Sequence, residues 1–271
     1  MSNWLDAIAL RPDGDAFVGE ITAQWAQGRS AFGGLLAGMA VVAARTRLPV
    51  DRRLVSVLVD FPAPALLGAV RVEVRVTRSG RAITHVEARV SQGAELCAVV
   101  LLVFAAHRET GISWPGAAPA EAPGPEQSRA FGYVEGVFPA FTQNFQYRWT
   151  SQAYPFTGAD VAAIDGWVRL VAPVPIDEAV ILALVDAWPA PALPLMHGPA
   201  PASTVTWMVD LFGSLDVPAD GWWRFASETV AAGSGYASFG ARLWAPGPQG
   251  GAGRLVAVSR QMVAEFSKPR S

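Results

Sequence analysis

Two segments of this chain form helices that are apolar on every side, and each is followed by four strand-like runs. This repeat restricts the fold more than any other feature of the sequence. Residues 33–47, GGLLAGMAVVAARTR, favour a helix with no polar face. Such a helix has to be enclosed by other structure. The strand signals after it are RLVSVLVDF at 53–61, VRVEVRV at 70–76 in strict alternation, AITHVEARV at 82–90 and ELCAVVLLVF at 95–104, with a turn at TRSGR. The order then recurs. DEAVILALVDAW at 177–188 reads as an apolar helix with Asp177 as its N-cap, ended by PAPALP. Four strands follow at 203–212, 222–230, 236–245 and 254–266.

Residues 71–90 lie over 224–243 without a gap, with identities at Arg71/Arg224, Gly80/Gly233, Ala88/Ala241 and Arg89/Arg242. SVLVDF at 56–61 also echoes TWMVDL at 206–211, which makes Ser56 the counterpart of Thr206. Four identities alone are weak, but the shared element order favours an internal duplication. The segment 107–127 is rich in Ala, Pro and Gly and lacks periodicity, so it reads as a linker. The expected organisation is therefore an N-terminal unit at 1–106, the linker at 107–127 and a C-terminal unit at 128–271. Strand signals resume around 133–149, and GWVRLV at 166–171 precedes the second helix. The fold class is α+β. A long helix wrapped by antiparallel strands is a hotdog, and two in one chain predict a double hotdog with one continuous sheet.

Composition removes several function classes. Apolar residues make up 51% and charged residues 16% of 271 residues, enough for a dense core. A formal charge of −2 without a basic cluster argues against nucleic acid as a partner. The most apolar run, FGGLLAGMAVVAA at 32–44, is well short of the ~20 residues needed to span a bilayer. No membrane insertion is expected, and the N-terminus carries no signal-peptide pattern. The lone Cys97 lies in an apolar run, and together these features predict a cytoplasmic protein. The three histidines are scattered, so neither a metal site nor a Cys/His dyad can be drawn, and no cofactor is expected.

Four segments together resemble the acyl-CoA thioesterase II family and its bacterial thioesterase-like relatives. They are GRSAFGGLLAG at 28–38, GRAITHVEARVSQGAELCAVVLLVFAA at 80–106, GWVRLV with DEAVILALVDAWPAPA, and the C-terminal WWRFASETVAAGSGYASFGARLW with GRLVAVSRQ. The resemblance implies a double hotdog that hydrolyses acyl-CoA, or another acyl thioester, to the free acid and thiol in lipid metabolism. It further implies that a water does the attacking, held by an Asp, a Thr and a Gln of the second hotdog, without metal or covalent intermediate. Carried over by pattern, the Gln falls on Gln261, the acid position on Thr206 and the hydroxyl position on Val230. Asp210, Glu228 or Thr229 would then have to stand in for the acid or the hydroxyl. Gly33 and Gly34 open the first helix, where free backbone N–H groups can polarise a carbonyl oxygen, so Gly34 is the expected oxyanion donor. Phe32, Gly33 and Asp210 are expected to contact substrate. The alternative is a degenerate double hotdog that binds acyl thioesters without cutting them, motivated by the acid missing at Thr206. A homodimer is compatible with either reading.

Overall fold

The computed structural model describes residues 3–267. Its helices are α1 (Trp4–Ala7), α2 (Gly33–Arg45) and α3 (Glu178–Asp186). The first half contributes strands β1 (Arg11–Asp13), β2 (Ala16–Ile21), β3 (Ala26–Gln27), β4 (Ser30–Ala31), β5 (Arg52–Asp60), β6 (Gly68–Ser79), β7 (Ile83–Gln92) and β8 (Glu95–Ala106). The second contributes β9 (Arg129–Phe131), β10 (Phe145–Trp149), β11 (Ala163–Leu170), β12 (Ala202–Leu211), β13 (Trp223–Gly233), β14 (Tyr236–Pro246) and β15 (Ala252–Glu265). Both long helices and all eight strands that follow them stand where the periodicity puts them, with ends shifted by a few residues.

Apart from the β3–β4 pair, the strands form one thirteen-stranded antiparallel sheet in the order β1-β2-β6-β7-β8-β5-β12-β15-β14-β13-β11-β10-β9. The halves join where β5 pairs with β12. Outward from that seam the order reads β8, β7, β6 on one side and β15, β14, β13 on the other, so the halves are related by a pseudo-twofold axis. The fold is a double hotdog. Alternation along each strand sends Val57, Val59, Val100, Leu102, Trp207 and Val209 to the helix-covered face, where all are at most 3% exposed. Because α2 and α3 pack against each other as well as the sheet, neither has a face left for polar residues.

The repeat extends to irregularities of register. One residue is bulged out at Val55 in β5 and at Val205 in β12, an offset of 150. Thr77 and Val230 are bulged at an offset of 153, which is the offset of the 71–90 overlay. Cys97 and Val256 are bulged at an offset of 159. Three matching bulges, each a local distortion with its own re-aiming of side chains, tie the halves together far more firmly than four identities do.

Residues 107–128 have no regular secondary structure, as their composition implies. They are nonetheless pinned to the second half: the Trp244 indole N–H donates to the Ala117 carbonyl at 2.9 Å and that of Trp167 to the Pro123 carbonyl at 3.0 Å. Two regions differ from the sequence-based expectation. The first is the N-terminus, where α1, β1 and β2 form on segments too short for periodicity to register; α1 is held by a capping box between Asn3 and Asp6. The second is 133–149, where only 145–149 is strand. A single 3-10 turn at Ala140–Asn144 precedes it, and no strand forms at 132–139.

Candidate active site

Helices α2 and α3 run antiparallel, so the N-terminus of each meets the C-terminus of the other. At one end the Arg45 guanidinium pairs with Glu178, whose carboxylate also accepts from the Leu54 N–H at 3.1 Å. At the other end Asp186, the last residue of α3, receives the backbone N–H of Gly34 at 2.7 Å. Its second oxygen accepts from the side-chain amide of Gln261 at 2.9 Å. The carbonyl oxygen of that amide accepts in turn from the Thr204 hydroxyl at 3.0 Å. One Asp, one Thr and one Gln of the second half thus form a continuous hydrogen-bonded chain, the three residue types that the resemblance implies.

The local structure explains how they meet. Gln261 lies on the helix-covered face of β15 with Ser259 and Val263, and is 6% exposed. It pairs across the sheet with Trp207 of β12. Strict alternation from Trp207 would turn Thr204 to the opposite face, together with Thr206, Met208 and Asp210. The bulge at Val205 inserts one residue and brings Thr204 round to the helix side. The first half carries the same bulge, but the counterparts of Thr204 and Gln261, by the offsets of 150 and 159, are Leu54 and Leu102, both at most 2% exposed. Apolar side chains therefore fill the place where a second polar cluster would sit.

Asp186 stands at an electrostatically mixed position. The C-terminal end of α3 disfavours its charge and the N-terminal end of α2 favours it. Burial dominates and pushes the carboxyl up to about 7, although the hydrogen bonds from Gln261 and Gly34 pull it down. The phenol of Tyr147 beside it donates to the Ala187 carbonyl at 2.9 Å, and burial followed by the Asp186 charge holds its proton on well above the ordinary range. The cluster opens on a largely apolar cavity of about 440 Å³ whose wall includes the rings of Tyr147, Trp149, Trp188 and Phe239.

Of the residues expected from sequence, Gln261 and Gly34 are in this cluster. Gly34 is engaged differently from the expectation: its N–H goes to the Asp186 carboxylate, so it is not free to face a carbonyl oxygen. Gly33 packs on the same carboxylate; a Cβ built on it would lie 2.9 Å from the Asp186 oxygen. Phe32 is fully buried behind the cavity wall, stacked on Phe141 at 4.3 Å. The others lie elsewhere. Thr206 is exposed on the outer face, and Asp210 on that face accepts from the Ser56 hydroxyl at 2.7 Å across the seam between halves. Glu228 is exposed, 3.9 Å from Arg242. Val230 is a bulged residue, 69% exposed. Thr229 has a buried hydroxyl without a protein partner and does not line the cavity.

The carboxylate and the hydroxyl bonded into the Gln261 cluster are those of Asp186 and Thr204, neither of which the pattern carry-over names. A signal for Asp186 was present: a lone carboxylate ending an otherwise apolar helix opposes the helix dipole and calls for compensating partners. Nothing in the sequence announces the bulge that turns Thr204.

Comparison with known proteins bears on this geometry at two levels. The model of the acyl-CoA thioesterase N-terminal domain matches residues 21–105, and that of the C-terminal domain matches residues 116–264. A search of curated proteins gives no match. Among solved structures, a hot dog protein of unknown function from Alicyclobacillus acidocaldarius superposes with a TM-score of 0.87 at 24% identity, over 98% of both chains. An acyl-CoA thioesterase II from Mycobacterium marinum superposes with a TM-score of 0.77 at 20% identity, again over 98% of both chains. At such identities the structural likeness establishes the fold. The two domain models, which together cover most of the chain, establish that it belongs to the acyl-CoA thioesterase family.

Proposed function

We propose that this chain hydrolyses acyl-CoA thioesters with a water held and deprotonated by Asp186, positioned with the help of Gln261 and Thr204. The observation that carries the reading is the hydrogen-bonded chain from Gly34 through Asp186 and Gln261 to Thr204, at the wall of a largely apolar cavity. A carboxyl group near 7 is suited to accept a proton at neutral pH and to return it. In the step proposed, Asp186 takes a proton from water as the oxygen adds to the thioester carbonyl. The tetrahedral intermediate then collapses, the carbon–sulfur bond breaks, and the proton on Asp186 goes to the departing thiolate. The products are the free acid and the thiol.

In this scheme Gly34 acts on the base, since its N–H orients the Asp186 carboxylate. Gln261 has a similar task and links the carboxylate to Thr204, whose hydroxyl supplies a further polar contact for water. The non-catalytic alternative rested on a missing carboxylate, and Asp186 supplies one. The test is release of free thiol from short, medium and long acyl-CoAs. Turnover above the uncatalysed rate with at least one substrate is expected; measurable binding of the panel with no thiol released would favour the binding-only reading instead.

A further inference from the structure

One wall of the cavity beside Asp186 is built from interlocked rings. Phe131, Tyr147, Trp149, Tyr154 and Trp188 form a contiguous set with centroid separations of 5.0–5.7 Å and interplanar angles of 38–87°. All five line the cavity, and Phe239 lines it as well. These rings have little room to move. Trp188 is stacked on Phe225 at 5.1 Å with the planes 2° apart, and the indole N–H of Trp149 donates to the Ser151 hydroxyl at 2.7 Å.

The loop that contributes Tyr154 and Phe156 to the lining is fixed too. Phe156 adopts a left-handed φ of 67°, and its N–H donates to the Leu193 carbonyl at 2.9 Å. Gly158 and Ala159 donate to the Met196 and Pro194 carbonyls, each at 2.9 Å, so the loop carrying Tyr154 and Phe156 is tied to the one after α3. A non-glycine residue held at positive φ costs free energy, which the surrounding bonds must offset.

We propose that this cavity takes an aromatic acyl group, which joins the ring cluster as a further edge-to-face or stacked member. The inference rests on the thioester reading of the site and adds the class of acyl group. A flat, rigid ring gains ring–ring contacts beyond its buried area and has little conformational entropy to lose. A saturated chain of similar carbon number gains only the area and must be ordered torsion by torsion.

Two measurements keep this inference separate from the function it rests on. Calorimetric binding of S-benzyl-CoA and S-hexyl-CoA, thioethers that cannot be hydrolysed, is expected to favour the benzyl compound by about tenfold. For hydrolysis, kcat/KM for benzoyl- and phenylacetyl-CoA is expected to exceed that for hexanoyl- and octanoyl-CoA by a similar factor. Tyr154→Leu, at the half-buried edge of the cluster, should narrow both preferences. Equal or tighter binding of S-hexyl-CoA by the parent protein overturns the inference, whether or not any thioester is cleaved. Absence of hydrolysis with the benzyl preference intact overturns the proposed function and leaves the cavity assignment standing.

Discussion

At the scale of single residues, the site is set by which side chains share the helix-covered face. Gln261 bonds both Asp186 and Thr204, so removing its amide disconnects the cluster while leaving the carboxylate in place. Gln261→Ala is expected to lower kcat by about 10–1000-fold, the range for loss of a positioned polar group, with KM changed little. Thr204→Val should act in the same direction. Thr206→Val, two residues away and on the outer face, should keep kcat within about twofold of the parent. Steady-state thiol-release kinetics on the three variants decide the matter: a loss at Thr206 comparable to that at Thr204 would mean that the bulge at Val205 has been given the wrong consequence.

At the scale of elements, the site depends on how closely α2 approaches α3. A Cβ on Gly34 would come within 3.1 Å of the Ala183 backbone and 2.7 Å of the Phe32 ring. Backbone cannot yield as a flexible side chain can. Gly34→Ala is therefore expected to destabilise the protein by about 1–3 kcal/mol, as overpacking does, and to reduce activity by displacing the N–H that holds Asp186. Urea unfolding monitored by circular dichroism reads the first effect; an unchanged midpoint would show that the helices are less tightly apposed than described. Most elements were legible in the sequence because apolar periodicity reports burial directly, and the helices and strands each left such a pattern. What stayed illegible was local. A bulge changes which face a residue takes without changing composition, so plain alternation puts Thr204 and Thr206 on one face. Asp186 was passed over because it meets Gly34 across 152 positions of sequence, and only the antiparallel helix pairing brings them together. Gln261 is reached through the family pattern LVAVSRQ, and it shares its strand face with Ser259 and Val263.

At the scale of the whole molecule, two similar hotdogs share one sheet, and among the described residues only the second carries the linked Asp, Thr and Gln. The seam between β5 and β12 makes the sheet continuous, and the antiparallel helices give it two equivalent ends. One end is closed by the Arg45–Glu178 pair with Leu54 and Leu102 in the strand positions; the other carries Asp186, Thr204 and Gln261. Activity should therefore depend on a single carboxylate in the second half. The protonated form of Asp186 is inactive as a base, so kcat/KM of the parent should rise with pH and level off above about 7, where the carboxylate is ionised. The most direct measurement is thiol release across pH 5–9, a range bracketing that value by about two units, for the parent and for Asp186→Asn, which retains the size of the side chain. The expected result is a loss of roughly 10²–10⁴-fold in kcat/KM for the folded variant, together with loss of the rise through about pH 7. A folded Asp186→Asn protein that hydrolyses the same substrate at the parent rate, with the same pH profile, would contradict it.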